Sequence, residues 1–309
     1  MKTKYLTGKL VVLMALFMIG CKKNSVEIPT VDINVEKTKF KVGEPVAFNL
    51  KGNPDFISFY SGELGNDYDF IKGRIVEIKA LSLFFQSRVS GGNQANQFSV
   101  HISSDFNGTY DIASVRAATW KDITNLFVLA TGEYLNSGEV DLSPLITDKT
   151  KPLYLGFRYV AKPQTANGVA RSWTLNALVV KSQTDLGIES IMTQKDGGWV
   201  LVEDGEIVDP GRTTISASSG AIVYRGNNGP QTKDVYTETW GIGKPLDLNT
   251  VDVGPDKSIL VKSISETIAP VFTHTYKGPG IYKATFEIKN NRIDGEKTIV
   301  KEIEITIEP

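Results

Sequence analysis

The sequence predicts an all-β fold of packed antiparallel sheets, and three observations predict it. Residues 31–309 hold almost no sustained 3.6-residue apolar periodicity. They hold many short runs in which apolar and polar residues alternate, the pattern of a strand with one wet face. Clusters of Gly, Pro, Asn and Ser separate those runs, and such clusters turn the chain rather than extend it.

In chain order, Val31-Asp32-Ile33-Asn34-Val35 alternates, then Val46-Ala47-Phe48-Asn49-Leu50, then Phe98-Ser99-Val100-His101-Ile102. Residues 282–288 and 299–307 do the same near the far end. Lys51-Gly52-Asn53-Pro54, Ser90-Gly91-Gly92-Asn93, residues 226–230 and Lys277-Gly278-Pro279-Gly280 are the turns. Strands at this spacing predict β-sandwich architecture. A brief helix around Ile123-Thr124-Asn125-Leu126-Phe127 is the one helical expectation.

Composition excludes several functions. The 34 basic residues against 35 acidic ones leave a formal charge of −1, which is no surface for nucleic acid. One Cys excludes an intrachain disulfide framework and a thiolate cluster. The two histidines, His101 and His274, lie far apart, and each falls in a strand-like stretch where a structural role is expected. No Gly-rich phosphate loop and no G-x-S-x-G elbow is present. The carboxylates open to glycosidase chemistry are Asp67 with Asp69, Glu203 with Asp204, and Glu238, neighbours that 35 acids produce by chance. The expectation is a protein that is not an enzyme.

The N-terminus reads as an export address. Lys2, Lys4 and Lys9 precede ten uninterrupted apolar residues, 10–19, about 15 Å as a helix and roughly half a bilayer core. That length fits a secretory signal rather than a span. Met18-Ile19-Gly20-Cys21 resembles the bacterial lipoprotein signal, in which a small residue precedes a Cys that becomes acylated and N-terminal. The resemblance implies a signal peptide over 1–20, a lipidated Cys21 with palmitate-type chains as membrane anchor, and a tether over 21–30. The alternative is an ordinary signal peptide with a buried Cys nearby. Removal of residues 1–20 takes three lysines and no acid, leaving −4.

Residues 40–48 and Phe56-Ile57-Ser58-Phe59-Tyr60-Ser61-Gly62-Glu63 resemble the front half of an immunoglobulin-like domain of the polycystic-kidney-disease (PKD) type. The back half of that pattern stands at the opposite end, in Phe272-Thr273-His274-Thr275-Tyr276-Lys277-Gly278-Pro279-Gly280-Ile281-Tyr282. Neither half has enough strands to bury a core alone. The resemblance implies one discontinuous domain, 31–69 with 256–309, holding an insert of 70–255. The competing reading has two separate small domains.

The insert resembles a galactose-binding-like jelly roll of the choice-of-anchor or cleaved-adhesin kind. The resemblance rests on residues 98–108, Ala118-Thr119-Trp120-Lys121-Asp122, residues 153–159, Arg171-Ser172-Trp173-Thr174-Leu175 and Glu238-Thr239-Trp240-Gly241-Ile242. The last segment precedes the first in related jelly rolls and follows it here, so the resemblance implies a circular permutation. The arrangement as a whole resembles Bacteroidota envelope lipoproteins of Sus-like glycan-uptake systems. It implies an outer-membrane, lipid-anchored protein, at the cell surface or on the periplasmic face, with SusC/SusD-like proteins and an oligo- or polysaccharide as partners.

Sugars present apolar C–H faces that stack on aromatic rings, while acids, amides and Arg bond their hydroxyls. Trp120, Trp173 and Trp240 fall in motif strands and are expected in the core. Trp199 follows Asp196-Gly197-Gly198 and is the tryptophan expected at a surface. With Tyr110 and Tyr134 as loop rings and Arg116 and Arg171 as donors, it makes up the candidate carbohydrate site. No cofactor is expected; a structural calcium ion, on Asp67 and Asp69 in one loop or on Asp105 and Asn107 in another, is a further candidate. The function expected is non-catalytic carbohydrate binding by a cell-envelope lipoprotein. The alternatives are an adhesive or structural surface protein contacting other proteins, and a glycoside hydrolase.

Overall fold

The computed structural model describes residues 26–293 and 295–309, and strand is their dominant element. The chain is all-β and forms β-sandwiches in two units. One unit joins the described residues up to Lys72 with Pro255–Pro309, and the other is Gly73–Gly254. The export address, Cys21 and the tether as far as Ser25 lie outside the described residues. No helix among the described residues is long and apolar enough to cross a membrane.

In the first unit, the run 46–50 alternates as its sequence requires. Val46, Phe48 and Leu50 are buried while their neighbours face outward. Their strand, Pro45–Gly52, pairs antiparallel with Val31–Asn34 on one side and Val271–Thr275 on the other. The facing sheet has the order Ile259–Lys262, Phe56–Tyr60, Gly280–Arg292, Gly295–Glu308, Lys39–Lys41. Its last pairing, Lys39–Lys41 with Thr306–Glu308, is parallel. Phe48, Phe59 and Phe286 fill the space between the sheets with ring centroids 4.9–5.4 Å apart. At one end His274 Nε2 meets Glu63 Oε2 at 2.7 Å, and buried Tyr276 donates its hydroxyl to Ser61 O at 3.0 Å. His274 is a structural histidine.

The second unit begins and ends in one small ribbon, Ile75–Glu77 paired with Thr250–Asp252. Above it stands a seven-stranded antiparallel sheet built on Ala80–Ser90 and Ser172–Thr184, flanked by Leu135–Asn136, Val140–Asp141, Gly187–Thr193, Ile222–Tyr224 and Thr214–Ile215. A five-stranded sheet packs against it in the order Val200–Gly205, Thr237–Ile242, Tyr154–Ala161, Phe98–Ser103, Lys121–Asp122. Phe85, Phe157, Leu175 and Tyr224 lie in the dry layer between them.

Two irregularities shape this unit. In Ser172–Thr184, Asn176 opposes Gln86 but Val179 opposes Phe84, so one extra residue is inserted between them. Ala177 sits in that bulge with φ +50°, a left-handed conformation unusual for a side chain with a Cβ. The second irregularity is a satellite core on the outer face of the five-stranded sheet. There the helix Ile112–Ala117, N-capped by Asp111 through Ser114 N, packs Val115 with Phe106, Tyr154, Val202 and Trp240. That helix is absent from the sequence reading, and the expected helix at 123–127 is one 3-10 turn, Thr124–Leu126.

Candidate functional site

The five residues singled out for carbohydrate do not share a face. Trp199 precedes the strand Val200–Gly205, and its ring lies edge-on to Phe157 at 5.7 Å, partly buried against the main core. Its Nε1 donates to Gln194 O at 2.8 Å, so the indole is a packing element. The Gly197-Gly198 turn reads as a segment that would expose the ring; instead it folds the ring back, with Trp199 Nε1 against the place a Cβ on Gly197 would take. Tyr110 belongs to the satellite core, where its hydroxyl donates to Gly243 O at 3.2 Å. Arg116, in the last turn of the helix, is ion-paired with Asp204. The Arg171 Nε is buried without a hydrogen-bond partner, and the Arg171 carbonyl accepts from Tyr159 at 2.8 Å. Tyr134 alone presents its ring to solvent, 49% exposed, on the seven-stranded sheet.

Around Tyr134 the outer face of that sheet carries a strip of side chains suited to hydroxyl-rich ligands. Strand alternation buries Leu83, Phe85, Ser87 and Val89 and so turns Ser82, Phe84, Gln86 and Arg88 outward. Arg88 holds its guanidinium 5.7 Å from the Tyr134 ring centre and pairs with Glu133 at 3.2 Å. One row further along, Asn136, Gln86 and Asn176 stand side by side on three adjacent strands. Gln86 donates to Asn136 Oδ1 at 2.9 Å. Half-buried Phe84 and Val179 form the next row. Beyond them Lys181 reaches Glu139 at 3.0 Å, and Ser82 donates to Glu139 at 2.7 Å. These two bonds hold the Glu139 carboxyl below its usual range. A depression of about 260 Å³ lies at this end, edged by Ile188.

The sequence reading missed all of this strip except Tyr134. The bulge at Ala177 is what places Asn176 beside Gln86 while returning Leu178 and Val180 to the core. The broken alternation in Leu175-Asn176-Ala177-Leu178-Val179-Val180 is the signal that could have found it.

A second polar cluster sits on the outer face of the five-stranded sheet. Arg158 grips Glu238 with two bonds, Nε to Oε1 at 2.9 Å and Nη2 to Oε2 at 3.0 Å. Tyr236 donates to Glu238 Oε2 at 2.8 Å, and Trp240 Nε1 to Oε1 at 2.5 Å. Burial alone would raise this carboxyl, but the four donated bonds outweigh it and hold Glu238 at about 2. His101, 7% exposed, rests against Trp240 at 5.0 Å with Nε2 2.8 Å from Ser99 Oγ. Burial lowers its pKa against the opposing field of Asp122. Trp120 and Trp240 both close on Gly156, where an added Cβ would stand 2.7 Å from Trp120 and 3.1 Å from Trp240. Trp240 is buried, Trp120 is half-buried, and Trp173 stacks on Phe98 at 5.1 Å in the main core.

The calcium candidates stand in two separate loops, and in each the side-chain oxygens already take part in local bonds. Asp67 and Asp69 belong to the first unit, and Asp105 and Asn107 to the second. Asp67 accepts from Asp69 N at 3.0 Å, and Asp69 is bound by Lys283 at 2.5 Å. Asp105 Oδ1 accepts from Ser103 Oγ and Thr119 N, both at 2.8 Å, and Asn107 Oδ1 accepts from Thr109 N at 2.8 Å. The oxygens the sequence offers are closing their own turns. No group of three or more His, Cys, Asp or Glu among the described residues is placed to hold a metal.

No curated protein matches this chain. A family described as Domain of unknown function (DUF5017) matches residues 20–199, more than half of the length. The chain belongs to the DUF5017 family.

Proposed function

We propose that this protein is a non-catalytic carbohydrate-binding lipoprotein of the cell envelope, tethered to the outer membrane through Cys21 and serving a glycan-uptake system of the SusC/SusD kind. The observation that carries the binding reading is the outward-facing strip on the seven-stranded sheet. It sets the amides of Asn136, Gln86 and Asn176 in one row beside the Tyr134 ring and the Arg88 guanidinium. Amides offer a donor and an acceptor on one rigid plane, which suits vicinal hydroxyls, and the ring offers an apolar face.

Strand register argues against one candidate carboxylate pair, Glu203 with Glu238. Asp204 opposes Glu238, so Glu203, whose pKa burial raises, points to the other face of the sheet. Glu203 and Glu238 are therefore on opposite sides of one sheet. A glycosidase pair must flank the same bond.

Affinity electrophoresis against a panel of polysaccharides tests the binding reading. Retardation by at least one glycan is expected, and Tyr134→Ala should weaken it about tenfold, the loss of roughly 1.4 kcal/mol. Migration unchanged on every glycan would instead favour an adhesive or structural role. Labelling with a palmitate analogue tests the anchor, with Cys21→Ala expected to abolish incorporation. Protease shaving of intact cells assigns the membrane face.

A further inference from the structure

We infer that the ligand of this strip is an internal stretch of an uncharged, extended polysaccharide laid along the strands. The inference rests on the carbohydrate-binding reading above and names its ligand class. Three features carry it: charge, enclosure and length.

Each cation on the strip is already neutralised by a carboxylate of the same strip, Arg88 by Glu133 and Lys181 by Glu139. Asp141, level with Ser82 on the neighbouring strand, adds a further negative charge. Its carboxyl is kept low by the bonds from Ser143. Two cations against three carboxylates leave no unpaired positive charge for a uronate or a sulfate ester. An acidic glycan would be repelled, and a neutral one meets paired groups whose remaining lone pairs and N–H bonds still reach its hydroxyls.

A sugar bound by its chain end is usually gripped in a closed pocket. The strip is a sheet face, with a depression at the Ser82 and Lys181 end. A sheet face admits a chain that continues past both limits. From Arg88 to Ser82 is six residues of one strand, about 20 Å at ~3.4 Å per residue. Polar and apolar rows succeed each other over that distance, with Arg88 and Tyr134 first, the three amides next, then Phe84 with Val179, then Ser82 with Lys181. A polymer crosses all four rows, whereas a single sugar touches one.

The test is affinity electrophoresis of the full chain in gels holding galactomannan, xyloglucan or mixed-linkage glucan, against gels holding polygalacturonate or chondroitin sulfate. A neutral hexasaccharide and its monosaccharide serve as competitors. Expected are retardation by a neutral polymer, little change between about 50 and about 300 mM NaCl, competition by the hexasaccharide and none by the monosaccharide. Gln86→Ala with Asn176→Ala should cut the retardation about tenfold. Tyr134→Ala, at an exposed ring outside the core, provides a second variant if the double one melts early. Retardation by acidic polymers alone, lost with salt, would overturn the uncharged class while leaving a binding face. Equal competition by the monosaccharide would overturn the extended stretch. Retardation by none of the polymers would overturn the carbohydrate reading itself.

Discussion

Phe48 and Phe286 meet edge to face, their ring centres 5.1 Å apart, although 238 positions of sequence separate them. Phe59 completes the cluster, 5.4 Å from the first ring and 4.9 Å from the second. All three are fully buried, so nothing nearby can relax to fill the space a lost ring leaves. Phe48→Ala should destabilise the first unit by about 3–5 kcal/mol. Chemical denaturation of the full chain followed by amide exchange in Pro45–Gly52 and Gly280–Arg292 measures it, and a loss below about 1 kcal/mol would contradict this packing.

Glu238 is held ionised by Arg158, Tyr236 and Trp240, with a folded pKa of about 2. A carboxyl depressed on folding stabilises fully at neutral pH and loses that contribution as pH falls from its ordinary value of 4.5 toward 2. Glu238→Gln should cost about 1–3 kcal/mol at pH 7, because Arg158 keeps a half-buried charge with a weaker partner. The gap between wild type and variant should then close as the pH is lowered through that window. Stability curves that stay parallel down to pH 2 would refute the assignment.

Gly156 has no room for a Cβ, with Trp120 2.7 Å and Trp240 3.1 Å from where one would stand. Gly156→Ala should therefore destabilise by about 1–3 kcal/mol and perturb tryptophan fluorescence, since both indoles must shift. An unchanged melting temperature and spectrum would count against the close stacking.

Ala177 in the strand bulge offers a test through backbone conformation. At φ +50° a β-branched side chain is far less tolerated than Ala, and Gly is tolerated best. Ala177→Val should cost about 1–2 kcal/mol or more. Ala177→Gly should stay within roughly 0.5 kcal/mol of wild type, as relief of strain offsets the greater freedom of the unfolded chain. Thermal melts of the two variants suffice, and similar values for both would place Ala177 in ordinary extended backbone.

What the sequence disclosed follows from range. Val46-Ala47-Phe48-Asn49-Leu50 and Phe98-Ser99-Val100 carry their inward and outward faces in plain alternation, because each residue's fate depends only on its neighbours. The all-β class was legible for that reason. Arg158 and Glu238 lie eighty positions apart and gain meaning only when their strands pair. The amides of Gln86, Asn136 and Asn176 are ordinary one at a time, and sheet register makes them a row. Trp199 misled because a glycine turn reads as freedom, whereas Gly197 is there to let the indole lie flat against the backbone. The helix Ile112–Ala117 was invisible because six residues give too little periodicity to detect.

The first unit's strands come from both sides of Gly73–Gly254, and this sets a timetable for the growing polypeptide. Strand Pro45–Gly52 is made long before Val271–Thr275, its neighbour on one of its two sides. Until that strand arrives one hydrogen-bonding edge of Pro45–Gly52 is bare, whereas Val31–Asn34, made earlier, can cover the other. Gly73–Gly254 holds all its own strand partners within one continuous stretch and can fold without waiting for the chain's last strands. Chaperone demand should accordingly fall on the earliest-made strands, which must be kept from pairing with strangers until the final hairpin arrives.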